Sequence, residues 1–139
     1  MSFEIVELNK EIFSGNKVEI PAFDPQKGFA VMSEIKEKAV AEFAKTQEDF
    51  VGINASIDDV QTYVVAKSGE GNGETSFEIP AGQYAKFVTD AKERTAIDGF
   101  IGQSYGEVMQ SETVTVAGTF NLEDLREATF TLYIPVAAK

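Results

Sequence analysis

The order strand, helix, strand, turn, strand occurs twice along this chain, and that repetition restricts the fold more than any other feature of the sequence. In the first half, alternating apolar and polar residues predict strands at 3–8, 17–20, 50–55 and 62–66. Asp24 before Pro25 is typical of a helix start, and apolar spacings of three and four extend this helix to about Thr46. Turns are predicted at 14–16 and 58–59.

The second half repeats this order after a Gly-rich connector at 68–74. The stretch 77–87 reads as a strand, a Pro-Ala-Gly turn and a second strand, with Tyr84 and Phe87 on opposite faces of that strand. Asp90 and Glu93 predict a capping box for a helix that contains three glycines, at 99, 102 and 106. Strands are then predicted at 113–122 and 128–136.

The two halves also share a turn pattern, which supports an internal duplication. Ile57-Asp58-Asp59-Val60 matches Leu122-Glu123-Asp124-Leu125, and this match places Glu123 and Asp124 in a turn. The sequence therefore predicts one α+β domain over residues 1–139, with repeats at about 1–67 and 75–139 joined by the connector.

Composition limits what such a domain can do. With 12 Lys and Arg against 23 Asp and Glu, the net charge is −11, which disfavours direct nucleic-acid binding and docking on anionic membranes. The same charge favours cationic ligands or basic protein partners. The chain has no Cys and no His, so thiolate and His-based metal sites and the usual Ser-His and Cys-His nucleophiles are excluded. We expect no cofactor and no metal, and the absence of Cys and of a signal sequence favours the cytosol.

The words Glu78-Ile-Pro-Ala-Gly-x-Tyr84-Ala-x-Phe87 resemble a signature of the gyrase-inhibitor-like (GyrI-like) small-molecule-binding domains, which also form effector-binding halves of AraC-type regulators. The resemblance implies two pseudo-symmetric βαββ units whose strands join into one curved antiparallel sheet, with two helices on one face. It places a ligand groove where the halves meet, for bulky compounds that are often aromatic or cationic.

Candidate ligand-binding residues follow from this arrangement. Tyr84 is favoured for the groove, Asn54 and Asn121 are expected to face each other across it, and aromatic or Met side chains are expected to form its walls. The wall candidates are Tyr63, Tyr105, Phe100, Phe29 and Met32. The family's pocket Glu would fall at Asn121, with Glu123 nearby, and its Trp is absent, so Phe100 or Tyr105 would substitute. These differences count against cation binding and against hydrolysis.

The favoured function is binding of a small organic molecule by a stand-alone domain, linked to transcriptional regulation or to sequestration of a toxic compound. One alternative is a hydrolase of electrophilic small molecules that uses a groove Glu and a Tyr, where a dry groove would raise the carboxyl pKa. The other is an acidic protein-interaction module that blocks a nucleic-acid-binding partner.

Overall fold

The computed structural model describes residues 3–22, 25–26, 28 and 30–139. Across these ranges we find two helices and nine strands. In chain order they are β1 (Glu4–Leu8), β2 (Glu11–Glu19), α1 (Ala30–Ala44), β3 (Phe50–Ile57), β4 (Val60–Ser68), β5 (Thr75–Ile79), β6 (Gly82–Thr89), α2 (Arg94–Met109), β7 (Val114–Val116), β8 (Phe120–Asp124) and β9 (Phe130–Ala138). Neither helix of the described ranges has the length and apolar character needed to span a membrane.

The strands are antiparallel and form one curved sheet in the order β1-β6-β9-β8-β3-β4-β2-β5, with β7 paired to β9. This order is symmetric about the β8–β3 pair, where Asn121 lies opposite Asn54. On one face, α1 packs over β2 and β4, and α2 packs over β6 and β7. The predicted α+β fold, with duplicated βαββ units in one curved antiparallel sheet and two helices on one face, is confirmed.

The outer strands are exchanged between the halves. Strand β1, from the first half of the chain, pairs with β6 of the second half, and β5 pairs with β2 of the first half. The exchange is anchored by side chains, since the Phe3 ring next to β1 lies 5.0 Å from the Phe87 ring of β6. Each half therefore completes the sheet of the other.

The two faces of the sheet carry different cores. Under α2 lies an apolar cluster that includes Phe87, Ile97, Ile101, Phe130 and Leu132, and under α1 lies a smaller one of Ile20, Phe43, Tyr63 and Val65. The opposite face buries a third cluster, which includes Phe13, Ile53, Val64, Tyr84 and Leu122. Full burial of such a side chain stabilises the fold by about 1.5–3 kcal/mol. The helix-covered face is thus apolar on both sides of a central seam.

The turn predicted at 14–16 is wrong, because β2 runs without a break through these residues. Gly15 pairs with Ala66 of β4 on one side and Thr75 of β5 on the other. A Cβ at Gly15 would lie 1.9 Å from the carbonyl oxygen of Val65, so glycine serves a close approach here and not a turn. Ser14 donates to the carbonyl of Gly69, which fastens the connector to this strand.

Both predicted helix starts need correction. Asp24 lies outside the described residues, Pro25 and Gln26 form a turn, and α1 begins only at Ala30. Helix α2 begins at Arg94, and its N-cap Glu93 makes no side-chain capping bond. The Thr89 hydroxyl accepts from the amide of Ala91 instead, so the predicted Asp90–Glu93 capping box is wrong.

The strand predicted over 113–122 is divided into β7 and β8. Gly118, at φ 81°, lies between them in a conformation that favours glycine. The turn predicted at 58–59 is confirmed, with Asp58 and Asp59 both at positive φ. The matching turn at Glu123 and Asp124 is wrong, because both residues belong to β8 and the chain turns after them.

Candidate functional site

The seam between the two apolar clusters is filled by four charged side chains, which we call the charged cluster. They are Lys36 of α1, Arg94 and Asp98 of α2, and Glu123 of β8. Their exposed fractions are 3%, 7%, 2% and 0% respectively. Buried charges are costly unless they are paired and hydrogen-bonded, so the partners of each one determine what the seam can do.

The local structure explains why these side chains meet. Arg94 and Asp98 are four residues apart on α2 and therefore lie on the same side of that helix. Glu123 and Asn121 are two apart on β8, so both point to the helix-covered face, whereas Leu122 between them belongs to the core of the other face. Correcting Glu123 from a turn to a strand thus places its carboxylate under the helices.

Each cation of the charged cluster contacts both carboxylates. Arg94 Nη2 donates to Glu123 Oε2 at 2.6 Å and to Asp98 Oδ1 at 3.0 Å. Lys36 Nζ donates to Asp98 Oδ1 at 2.9 Å and lies 3.5 Å from Glu123 Oε2. Ser33 of α1 adds a hydrogen bond of 2.6 Å to Asp98 Oδ2. Two positive and two negative groups therefore form a closed set that ties both helices to β8.

Tyr63 of β4 closes the charged cluster from the side of the first half. Its hydroxyl donates to Glu123 Oε1 at 2.7 Å, and its ring centroid lies 5.0 Å from Lys36 Nζ and 5.4 Å from Arg94 Cζ. The ring crosses over Gly52 of β3, where a Cβ would lie 2.1 Å from the Tyr63 hydroxyl. Glycine at position 52 is thus what allows Tyr63 to reach the carboxylate.

A row of neutral polar groups continues the network along the symmetry axis. Asn54 Nδ2 donates to Asn121 Oδ1 at 2.8 Å and to Glu123 Oε2 at 2.7 Å. Asn121 Nδ2 in turn donates to the hydroxyl of Tyr105 on α2 at 3.0 Å. Tyr105 is only half-buried, and its own hydroxyl proton can serve a further partner. In the described part of the chain, no buried side-chain nitrogen or oxygen lacks a hydrogen bond.

The pKa values follow from this geometry. Burial alone would raise the pKa of Glu123, but the charges of Arg94 and Lys36, with the hydrogen bonds from Arg94 and Tyr63, outweigh it and hold the pKa at about 2. Burial, and then the charge of Glu123, raises the pKa of Tyr63 well above its usual value. Glu123 therefore stays ionised and Tyr63 stays protonated at neutral pH.

Two glycines follow Asp98 along one flank of α2 beside the charged cluster. Asp98, Gly102 and Gly106 follow each other at intervals of four, so they form a row along the helix. A Cβ at Gly106 or at Gly99 would meet no described atom within 4 Å, which excludes close packing as the reason for these two glycines. The helix is nevertheless continuous through them. Gly106 and Gly99 therefore border open space in the described part of the protein.

The predicted site residues divide into two groups. The structure brings together Asn54, Asn121, Tyr63, Tyr105 and Glu123 at the seam. Tyr84 is instead 1% exposed in the core of the other sheet face, where its hydroxyl donates to the Pro80 carbonyl at 2.6 Å.

Two of the remaining candidates, Phe100 and Met32, do not reach the charged cluster either. Phe100 packs edge-on against Phe87 and Phe130, with centroids 6.3 and 6.4 Å away. Met32 is half-buried against the small cluster under α1. Phe29 lies outside the described residues.

Sequence reasoning missed Lys36, Arg94, Asp98 and Ser33. One signal was available, since Arg94 and Asp98 fall on the same stripe of α2 as Ile97 and Ile101, which are buried. Lys36 likewise adjoins the apolar stripe of α1 next to Ile35. Charged residues on the buried side of two helices are typical of a paired internal network, since Lys, Arg and Asp are almost never fully buried without partners.

Three solved structures share this fold over nearly the whole chain. SAV2435 bound to tetraphenylphosphonium is 14% identical, with a TM-score of 0.71 and coverage of 99% of this chain and 94% of that one. Integron cassette protein VCH_CASS2, from the mobile metagenome of Vibrio cholerae, is 17% identical, with a TM-score of 0.71 and coverage of 98% and 96%. A putative bacterial transcription regulation protein from Staphylococcus aureus MU50 is 13% identical, with a TM-score of 0.70 and coverage of 98% and 98%. No match was found among curated proteins.

The fold is thus the one found in a ligand-bound protein and in a protein described as a transcription regulator. Residues 4–136 match the family model Cass2, described as integron-associated effector binding protein. The chain belongs to this family, and the resemblance to the gyrase-inhibitor-like group is confirmed.

Proposed function

We propose that this protein binds a small organic effector in a groove along the seam, above the charged cluster and beside the glycine row of α2. The observation that carries the proposal is the match to an effector-binding family over 4–136, together with a polar network at the point where the two halves meet. The described neighbour bound to tetraphenylphosphonium supports a bulky, aromatic ligand.

The proposed groove would combine apolar space with a few polar anchors, as is usual for small-molecule sites. The bare flank at Gly106 gives room for an apolar body, and Tyr105 gives a half-buried aromatic edge. The Tyr105 hydroxyl and the amides of Asn54 and Asn121 are the polar anchors next to that space. Tyr84 is left out of the proposed site because it lies on the other face of the sheet.

The hydrolase alternative is less well supported by the chemistry of Glu123. A general acid or base near neutral pH needs a raised pKa, whereas the pKa of Glu123 is lowered to about 2. Its oxygens also accept from Tyr63, Asn54 and Arg94, which leaves little freedom to activate water. The expectation that a dry groove would raise this pKa is therefore wrong for Glu123.

The biological role follows as a finer part of the same proposal. The protein would sequester its effector or present the complex to a partner protein, in the cytoplasm. Its net charge of −11 supports a protein partner with basic character and speaks against direct contact with nucleic acid. The division into repeats at about 1–67 and 75–139 also stays a proposal.

The proposal is tested by thermal-shift screening with aromatic cations, neutral polycyclic compounds and nucleotides, because a ligand that binds the native state raises the melting temperature. Gly106→Trp fills the bare flank of α2. Ala96→Trp is the matched control, since Ala96 is exposed and lies on the other side of the helix from Asp98.

We expect the ligand-induced shift in the wild type and in Ala96→Trp, and its loss in Gly106→Trp. The absence of any shift across the panel, or equal shifts in both Trp variants, would contradict the proposed groove.

A further inference from the structure

The groups that could bind an organic cation at the seam already have cationic partners inside the charged cluster. Cation sites in proteins are built from carboxylates and the faces of aromatic rings. Here both carboxylates are each contacted by both Arg94 and Lys36. The face of the Tyr63 ring is likewise occupied, because Lys36 Nζ lies 5.0 Å and Arg94 Cζ 5.4 Å from the ring centroid.

The charges of the cluster also cancel. Two cations and two carboxylates lie within one closed set of ion pairs, and all four side chains are at most 7% exposed. An incoming cation would lose its hydration and would meet Arg94 and Lys36 without an unpaired carboxylate in the charged cluster to compensate. An uncharged ligand loses much less hydration and can still accept from the Tyr105 hydroxyl.

We propose, resting on the effector-binding function above, that the ligand of this protein is an uncharged aromatic compound with a hydrogen-bond acceptor. Lys36 and Arg94 determine this specificity because they already pair with both carboxylates and lie over the Tyr63 ring. The proposal gives this chain a ligand of different charge from tetraphenylphosphonium, which a neighbour of the same fold binds.

Three probes of similar shape and different charge test this specificity in the wild type. They are tetraphenylphosphonium, triphenylphosphine oxide and tetraphenylborate, and their affinities are measured by isothermal titration calorimetry. We expect the neutral oxide to bind at least about tenfold more tightly than either ion.

Binding of the phosphonium or of the borate as tight as that of the oxide overturns the specificity proposal while leaving effector binding intact. Binding of no probe and no member of the wider panel overturns effector binding itself, and the specificity proposal with it.

A gain of function gives the sharper test. Arg94→Met removes one of the two cations that pair with Glu123 and Asp98. We therefore expect the affinity for tetraphenylphosphonium to rise by at least about tenfold, and we expect added salt to weaken this binding. Arg126→Met is the matched control, because it removes the same charge from the whole protein but Arg126 pairs with Asp124 away from the seam.

Equal phosphonium affinity in Arg94→Met and the wild type, or an equal rise in Arg126→Met, would refute the role of the internal cation. Lys36→Met is measured in parallel and is expected to show the same rise. Circular dichroism confirms the fold of each variant, and if both seam variants are unfolded, the wild-type comparison of the three probes decides alone.

Discussion

Arg94 at the first position of α2 and Glu123 on the central strand β8 meet across the seam at 2.6 Å. Their contact joins the helix layer to the sheet at the symmetry axis, where apolar side chains would be expected in an ordinary two-layer fold. We expect the pairing of these two residues to control the stability of the seam and, under the proposed function, the charge that a ligand encounters there.

The first prediction concerns acid. Because the folded-state pKa of Glu123 is about 2, below its usual 4.5, the stabilisation is fully present above pH 4.5 and is lost as the pH falls toward 2. The loss should be about 3 kcal/mol in the free energy of unfolding, measured by urea denaturation across this range. Other carboxylates add to acid unfolding, so Glu123→Gln is the reference. Parallel curves for the wild type and this variant would contradict the assignment.

The second prediction concerns the coupling of Arg94 and Glu123. Arg94→Met and Glu123→Gln should each lower the free energy of unfolding by about 3–5 kcal/mol, because each leaves a buried charge without its partner. The double variant should lose at least about 2 kcal/mol less free energy of unfolding than the two single variants lose together. The reason is that it removes both partners, while the Lys36–Asp98 ion pair of 2.9 Å remains intact.

The exposed pair of Lys38 and Glu34, at 3.4 Å on α1, is the control cycle for this coupling. Its coupling should stay near about 0.5 kcal/mol, as is usual for surface pairs on a helix. Additive effects of the two seam substitutions would show that Arg94 and Glu123 do not depend on each other.

The third prediction concerns Gly52. Gly52→Ala would place a Cβ 2.1 Å from the Tyr63 hydroxyl and should displace the ring from Glu123, at a cost of about 2–4 kcal/mol in denaturant unfolding. Tyr63→Phe in the same chain removes the nearest atom and should recover part of that loss. A Gly52→Ala protein as stable as the wild type, with unchanged Tyr absorbance, would disprove the close approach.

The fourth prediction concerns the open flank of α2. Gly106→Ala should raise the free energy of unfolding by about 0.5–1 kcal/mol, because alanine favours the helix and its Cβ meets no described atom within 4 Å. Gly118→Ala provides the contrast, since Gly118 has φ 81° and alanine there should destabilise the protein. Destabilisation by Gly106→Ala would mean that the flank is not open.

Local signals in the sequence predicted most of the helices and strands, and the resemblance to the gyrase-inhibitor-like domains supplied their arrangement in one curved sheet. Alternation located most of the strands, and the Asp58–Asp59 turn followed from residues that tolerate positive φ. The prediction of strands and turns failed where a glycine had a structural role other than the one assumed. Gly15 was taken for a turn although it serves close strand packing, and Gly118 interrupted a strand that was expected to continue.

The site was predictable only in part. Asn54 and Asn121 were paired correctly because the pseudo-symmetry of the halves brings equivalent strand positions together. Tyr84 was favoured for the groove because its hydroxyl needs a partner, but the carbonyl of Pro80, four residues away, satisfies it locally.

The partnership of Lys36 with Asp98 could not be found from spacing, because the two lie 62 positions apart and meet only when the helices pack. Amphipathic patterns assign charged residues to water by default, and they give no means of pairing charges across elements. Burial of the cluster was therefore visible only once the two helices were placed on the sheet.

The exchanged outer strands have a consequence for how the chain could be divided. If the backbone were cut within 69–74, each fragment would have one unpaired strand edge. In the intact chain, the edge of β6 pairs with β1 of the other fragment, and the edge of β2 pairs with β5. Main-chain pairing along both edges would then guide the two pieces back to each other in the native register. We therefore expect the two fragments to form a split-protein pair, in which reassembly restores the seam.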